Sequence, residues 1–266
     1  MEKEDWLPKK ERRALFIVVD GLDGIGKGEI ERSLIEYEQK IGHTVFDTIS
    51  FSKANSKGLA ELKDFWNPPH TYYNTIVTAE PTYAGIGHSV RFELIVKNSR
   101  KYPLRAIMEA YALDRLISMM RLVIPALTNG IRVIQSRSVA STLNYQGLQA
   151  KENGIPLETI RKEILSLAGN KLQLDWAPDL LIIPTIKNIS DLMKRLQNRK
   201  EYKKDDNAIF DDLKFQEKLK PMYEDPWLQK LFTSRGTKIE YIDASISPEE
   251  TRKNAVEVYK KFLHKQ

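Results

Sequence analysis

The sequence predicts an α/β fold in which a parallel β-sheet is flanked by helices, and two observations lead to that prediction. Short apolar runs recur along the chain, each separated from the next by a segment with helical periodicity. The first run also leads through a glycine-rich turn directly into a helical pattern. Strands that alternate with helices are typical of βαβ units, in which the strands pair in parallel and the helices cover both faces of the sheet.

The first predicted strand is residues 14–20, ALFIVVD, a nearly unbroken apolar run that suits a strand buried on both faces. Glycines follow it, and from Lys27 onward the apolar residues recur at helical spacing. We predict four further strands, one in each of the segments HTVFDTIS, IRVIQSR, DLLIIPTI and KIEYIDAS.

Two later segments predict well-marked helices. Residues 103–130 have too many apolar positions for a single stripe, so we expect a central helix or one half of a helix–helix interface. The stretch PLETIRKEILSLAGN has Pro156 near its start and Gly169 in position to cap its end.

Composition excludes several classes of protein. The chain has no cysteine, which excludes disulfide bonds, zinc–thiolate sites and a cysteine nucleophile. No early apolar run resembles a signal peptide, and no segment approaches the ~20 apolar residues that span a bilayer. The net charge is +6, but the 42 basic and 36 acidic residues are interspersed, which favours a well-solvated surface. We therefore expect a cytoplasmic protein that binds neither nucleic acid nor membrane.

The turn after the first strand has the pattern of a phosphate-binding loop, Gly21-x-x-x-x-Gly26-Lys27. Between a strand and a helix, the backbone N–H groups of residues 23–28 would form an anion site, because the helix dipole also favours phosphate there. The pattern then calls for Ser or Thr, whose hydroxyl ligates magnesium. This chain has Gly28 and Glu29 instead.

Six segments in order resemble the motifs of thymidylate kinases, P-loop NTPase-type enzymes that transfer a phosphoryl group from ATP to dTMP. They are GLDGIGKGE, TAEPTYAGIGHSVRFELI, YALDRLISMMRLVIPAL, SRSVASTLNYQG, APDLLIIPTI and YIDASISPEE. The resemblance covers nearly the whole chain and implies a single domain over residues 1–266, with a polar arm at 1–13. It also implies ATP and Mg²⁺ as cofactors and a homodimer through the 103–127 helix.

The resemblance implies roles for individual residues. Tyr111 stacks on the thymine ring, Arg115 donates to its O4, and Ser141 or Thr142 reaches its N3. Tyr145 lies under the sugar. The other residues expected on the substrate are Glu80, Arg91, Arg137 and Gln146. Those expected on ATP are Gly21, Asp23, Gly24, Ile25, Gly26, Lys27, Gly28, Glu29, Arg195, Ala244 and Ser245.

Two segments are interpreted with alternatives. The basic run MKRLQNRKEYKK resembles the start of a lid over residues 193–212, and it must supply a catalytic arginine because position 24 is Gly. Arg199 is the first candidate, beside Lys27 and Arg137, and Arg195 is the reserve; solvated surface charge is the alternative.

Residues 52–74 are interpreted as a packed surface insertion, with a flap over a bound base as the second possibility.

Four positions depart from the family pattern. They are Gly28 in the loop, Ala79 for the arginine of the TREP motif, and Ser136 and Ser138 for the acid and tyrosine of the DRY motif. Asp20, Asp23, Glu29 and Glu80 remain as carboxylates within reach, and of these we expect Asp23 and Glu29 to hold magnesium instead. Two other functions remain open. One is a catalytically impaired paralogue that binds nucleotide and acts through a partner, and the other is a kinase for another nucleoside monophosphate.

Overall fold

The computed structural model describes residues 11–55, 58–192, 194–195 and 213–264. Within these residues the strands are β1 Phe16–Val19, β2 Val45–Asp47, β3 Trp66–Asn67, β4 Thr71–Tyr72, β5 Thr75–Ala79, β6 Arg132–Ser136, β7 Leu180–Thr185 and β8 Lys238–Asp243. The first six helices are α1 Lys27–Lys40, α2 Thr48–Ala54, α3 Leu62–Phe65, α4 Gly85–Ser89, α5 Leu104–Ser118 and α6 Ile124–Thr128. They are followed by α7 Val139–Glu152, α8 Leu157–Ser166, α9 Ala168–Asp175, α10 Leu213–Tyr223, α11 Pro226–Thr233 and α12 Pro248–Leu263.

Six of these strands form one parallel sheet in the order β2-β5-β6-β1-β7-β8, which confirms the predicted fold class. Each of the five segments predicted to be a strand contains one. Strand β5, TIVTA in sequence, was missed as a strand although it is completely buried beside β6. Strands β3 and β4 pair separately as a small antiparallel hairpin.

Helices cover both faces of the sheet because its strands are apolar on both sides. In β1, Phe16 and Val18 belong to one buried cluster, whereas Ile17 and Val19 belong to the cluster on the opposite face. All four side chains are fully buried. Each buried side chain of this size contributes about 1.5–3 kcal/mol relative to exposure, so these four residues stabilise both faces of the sheet.

The register of the central strands sets where the functional residues meet. Ser136 at the end of β6 lies beside Val19 of β1 on one side and Ala79 of β5 on the other. The residues that follow these three therefore emerge together at the carboxyl edge of the sheet. Ligands of open parallel sheets bind at that edge, where neighbouring connections diverge.

The long predicted helix is continuous from residue 104 to 128, with a π-helical turn at Met119–Val123 between α5 and α6. The prediction for Gly169 was wrong, because this glycine does not cap α8. It lies inside α9, and a Cβ there would come within 1.9 Å of the Ala112 carbonyl oxygen of α5. Gly169 thus permits backbone-to-backbone contact between the two helices.

The end of the predicted polar arm is held to the domain. Arg12 donates to the Asp179 carboxylate and to the Ala177 carbonyl, each over 3.0 Å. In the insertion, Phe65 is fully buried in the main core, and Arg121 donates to the carbonyls of Leu59 and Ala60. These contacts support the interpretation as a packed insertion. In the described ranges, no helix is both long and apolar enough to cross a membrane.

Candidate active site

The glycine-rich turn adopts the shape of an anion-binding loop. Gly21, Gly24 and Gly26 have positive φ angles of 152°, 74° and 103°, a region that residues with a side chain rarely adopt. Helix α1 begins directly after Gly26, so its free N–H groups and the positive end of its dipole face the loop. The loop is therefore built to receive phosphate oxygens.

Lys27, the first residue of α1, curls back over the loop. Its Nζ donates to the carbonyl oxygens of Gly21 and Leu22 over 3.0 and 2.6 Å and lies 3.9 Å from the Asp23 carboxylate. Burial, together with the nearby charge of Arg137, lowers the pKa of Lys27 to about 8. The ammonium is held at the point where a nucleotide phosphate would lie.

Arg137 is held in an unusual conformation beside the same loop. Its φ angle of 66° is positive, which costs on the order of 1–3 kcal/mol for a residue other than glycine. The guanidinium pairs with the Asp23 carboxylate, which also accepts a hydrogen bond from the Tyr145 hydroxyl over 3.0 Å. Although burial opposes its charge, Asp23 and its other neighbours raise the pKa of Arg137 well above the ordinary value. Strained backbone retained at such a position points to a functional role.

Asp20, directly after β1, organises the turns around this pair. It is fully buried and accepts hydrogen bonds from the hydroxyls of Ser138, Ser141 and Tyr223, and from the backbone N–H groups of Gly21 and Ser141. Ser138 also caps the start of α7. The serine that replaces the tyrosine of the DRY pattern thus joins the loop to α7.

Arg91 and Tyr111, two of the predicted substrate residues, are both held in buried surroundings. The Arg91 Nε donates to the Pro81 carbonyl over 2.8 Å, and the guanidinium lies 3.9 Å from the centre of the Tyr83 ring. Burial lowers the pKa of Arg91, and the charge of Arg137 adds to this effect. Burial also raises the pKa of Tyr111 to about 12, although Arg137 and Arg91 act against it. The charges of both arginines thus act on the buried Tyr111 hydroxyl.

Arg115 has a buried guanidinium that is oriented by several partners. It pairs with the Glu80 carboxylate at 2.7 Å, donates to Thr142 Oγ1 over 3.0 Å and contacts the Asn170 side-chain oxygen. Glu80 also accepts from Gln135 and Gln173, and burial raises its pKa despite Arg115. The structure thus brings three predicted substrate residues into one buried network. Gln146 is buried nearby in sequence, on α7.

The lid is described at its first turn alone. Arg195 donates to the Ala244 carbonyl over 2.8 Å, so the predicted reserve arginine meets the predicted adenine loop. Ser245 in that loop accepts from the Lys187 backbone N–H over 2.8 Å. Arg199 and most of the 193–212 segment lie outside the described residues.

The carboxylates expected to hold magnesium have other partners. Asp23 pairs with Arg137, and Glu29 pairs with Arg32 over 2.8 Å and faces the groove between α1 and α12. Glu31, which the sequence interpretation missed, is one turn beyond Lys27; burial raises its pKa, and the nearby Ser136 side chain acts against that rise. Spacing of four residues from the loop lysine was the signal that could have found it. Across the described ranges, no three His, Cys, Asp or Glu side chains cluster as a metal site.

Comparison with known proteins agrees with this geometry. Residues 68–255 match the family model described as thymidylate kinase. The probable thymidylate kinase of Caldivirga maquilingensis is 26% identical over 185 residues, which are 70% of this chain and 69% of that protein. The thymidylate kinase of Oenococcus oeni is 27% identical over 261 residues, covering 95% and 98% of the two chains. The thymidylate kinase of a Synechococcus species is 28% identical over 197 residues, which are 73% of this chain and 78% of that protein.

Proposed function

The chain belongs to the thymidylate kinase family, and on that premise we propose that it transfers the γ-phosphoryl group of ATP to dTMP. The observation that carries the proposal is the pairing of Arg137 with Asp23. It places an arginine from the end of β6 against the phosphate loop at the end of β1. A cation in that position can contact a donor phosphate and an acceptor phosphate at once.

On the donor side, the loop amides and Lys27 would bind the β- and γ-phosphates of ATP. Lys27 already points into the loop, so binding exchanges its two carbonyl acceptors for phosphate oxygens. Phosphoryl transfer depends mainly on positioning and on neutralising charge, and a strict catalytic base is not required. Arg137 would stabilise the charge that develops between the two phosphates, and Arg199 of the lid would close over them.

On the acceptor side, Tyr111 would stack on thymine while Arg91 binds the monophosphate. Arg115 would donate to the base from a fixed orientation, because Glu80 and Thr142 hold its guanidinium. A donor that is already oriented does not pay for reorganisation when the substrate arrives. Tyr145, whose hydroxyl donates to Asp23, would lie under the sugar.

Magnesium, when bound with ATP, would neutralise phosphate charge and orient the γ-phosphoryl group. Magnesium accepts one or two carboxylates together with waters and phosphates, so the acidic groups around the loop fit such an ion.

A coupled assay of ADP release tests the proposal. We expect magnesium-dependent turnover that is fastest with dTMP among dTMP, dUMP, dCMP, dGMP and UMP. Lys27→Met should abolish it, whereas Lys40→Met, on the exposed last turn of the same helix, should not. Turnover with another monophosphate would indicate a different substrate. ATP binding without turnover on any of the five would overturn the kinase assignment and favour a protein that acts by binding.

A homodimer through α5 is part of the proposal. Leu113, Ile117 and Met120 are 46%, 37% and 42% exposed, and their spacing places them on one side of the helix. An exposed apolar stripe of this kind is typical of an interaction surface. Light scattering should give twice the 30.7 kDa mass of the chain, and Ile117→Glu should halve it. A wild type that stays monomeric at high concentration contradicts this arrangement.

A further inference from the structure

Glu31 is a shielded carboxylate with an unused oxygen at the edge of the phosphate loop. Its Oε1 is shielded from solvent and has no hydrogen-bond partner in the described part of the chain. The carboxylate does interact with the Ser136 side chain, and the charges of Lys27 and Arg137 act on it. Glu31 is thus an incompletely satisfied acid at the site proposed to bind nucleotide.

A shielded oxygen without a partner is costly. Leaving such a group unsatisfied destabilises the folded state, more so when the group is charged, and folded proteins therefore keep few of them. The nearby cations are already used, because Lys27 donates to two loop carbonyls and Arg137 pairs with Asp23. The cost is recovered when a ligand supplies the missing partner.

The surroundings indicate which ligand that is. A Cβ added at Gly28 would find nothing within 4 Å, so the turn of α1 above Glu31 is open. The Glu31 carboxylate and the hydroxyl of the nearby Ser136 are both oxygen ligands. Magnesium takes oxygen ligands, keeps several waters and enters nucleotide sites on the phosphates.

We propose that Glu31, together with the Ser136 hydroxyl, holds the hydrated divalent cation that enters with the adenine nucleotide. The proposal rests on the proposed function, because the nucleotide phosphates supply the rest of the coordination. It also accounts for two departures noted in the sequence. The acid absent from position 136 is supplied across the cleft by helix α1, and the serine that remains there orients it.

Asp23 and Glu29 fit this role less well. The Asp23 carboxylate already accepts from Arg137 and Tyr145. Glu29 pairs with Arg32 on the solvent side of α1, where Arg252 also lies 3.9 Å from its carboxylate. Neither has the combination of a shielded, unpaired oxygen and an open neighbouring position.

Electron paramagnetic resonance with Mn²⁺ tests the site directly. Mn²⁺ is titrated into the protein with ADP, the protein being in excess, so that nearly all nucleotide is bound. We expect Glu31→Gln to weaken Mn²⁺ affinity about tenfold or more, the loss typical for a group that supports a metal site. ADP affinity without metal should stay the same. Glu36→Gln is the matched control, because Glu36 is an exposed glutamate on α1 that pairs with Arg252.

A second variant tests the geometry. In a Glu31→Gln background, Ser136→Asp returns a carboxylate from the strand side and should restore most of the Mn²⁺ affinity. The melting temperature of Glu31→Gln without ligand should be equal to or above that of wild type, because an amide removes a poorly satisfied charge. A purely structural glutamate would instead lower it.

The results also separate this inference from the proposed function. Unchanged Mn²⁺ affinity in Glu31→Gln, or a loss confined to Glu29→Gln, overturns the inference even if dTMP is phosphorylated. A loss in Glu31→Gln without any turnover supports the site and overturns phosphoryl transfer. A wild type that binds no ADP overturns both.

Discussion

Helix α1 carries two shielded glutamates, Glu31 and Glu38, about two turns apart on one side, and their surroundings differ. Glu38 lies toward the amino edge of the sheet and is completely satisfied. Its Oε1 accepts from Arg132 and Tyr259 over 2.5 and 2.8 Å, and its Oε2 accepts from Thr75 and pairs with His43, each at 2.7 Å.

Glu31 lies at the carboxyl edge and has one oxygen without a partner. Burial raises its pKa, and Ser136, Lys27 and Arg137 offset that effect in part. For Glu38, burial acts in the same direction, but Thr75, Arg132, His43 and Tyr259 together outweigh it and lower the pKa. Two glutamates on one helix thus serve different ends: the satisfied one fixes the structure, and the unsatisfied one is kept for a ligand.

The largest expected effect is on turnover at the carboxyl edge. Arg137→Gly removes the guanidinium and also relieves the positive φ angle. We expect kcat to fall by about a thousandfold or more, the usual contribution of an arginine on a transferring phosphoryl group. The melting temperature should change less than after loss of a comparable buried ion pair, because relief of the backbone strain offsets part of the loss of the pairing with Asp23. Coupled kinetics and calorimetry measure the two quantities. An Arg137→Gly protein that is strongly destabilised but keeps the wild-type kcat would contradict a functional role for the carboxyl edge.

The next effect is on stability at the amino edge. Glu38→Ala removes the ion-pair partner of the largely buried Arg132 guanidinium, and we expect a loss of about 3 kcal/mol in unfolding free energy. Turnover at low temperature should remain close to wild type. Urea titration measures the loss, with Glu36→Ala as a surface control expected within about 0.5 kcal/mol. Equal losses from Glu36 and Glu38 would show that the network contributes little.

A pair of glycines sharpens the same contrast. Gly169→Ala places a Cβ against the Ala112 carbonyl, and overpacking of this kind costs about 1–3 kcal/mol. Gly28→Ser has open space and should change the stability of the free protein by no more than about 0.5 kcal/mol. Thermal unfolding of the two variants checks this. A Gly28→Ser protein as unstable as Gly169→Ala would mean that the opening beside Glu31 is not a free space.

The smallest effect is the dependence of stability on acid. The folded-state pKa of Glu38 lies below its ordinary value of 4.5, so ionised Glu38 stabilises the protein above that pH. The contribution is lost as the pH falls from 4.5 through the folded-state pKa. Glu38→Gln should therefore lose less unfolding free energy than wild type between about pH 6 and pH 3. If the unfolding free energies of the two proteins fall in parallel as the pH is lowered, Glu38 does not contribute to the pH dependence of stability.

Much of the fold could be predicted because the central strands are continuous apolar runs. Strand β5 was missed because two of its five residues are threonines, which interrupt the apolar run. Its burial is decided by its neighbours β2 and β6 in the sheet. The end of α8 was misplaced because Gly169 is required by a close contact with Ala112 of α5, a residue far away in sequence. Local patterns do not contain such contacts.

The site divides in the same way. The phosphate loop was predictable because its glycines are required by local backbone geometry. Partners across the sheet could not be predicted, because the pairing of Arg137 with Asp23 and the closeness of Glu31 to Ser136 depend on strand order and register.

Arg115 shows the same limit. Its pairing with Glu80 means that Arg115→Ala would leave a buried carboxylate unpaired, costing about 3–5 kcal/mol. Arg91→Ala is therefore the cleaner test of the acceptor side.

The way Lys27 occupies the loop has a consequence for proton balance. In the free protein its pKa is lowered to about 8, chiefly by burial and then by Arg137. A bound polyphosphate brings negative charge to the ammonium and raises that pKa again. Near pH 8 the lysine is therefore less protonated before binding than after it, so nucleotide binding takes up protons from the buffer. The heat of binding should then vary with the ionisation enthalpy of the buffer used.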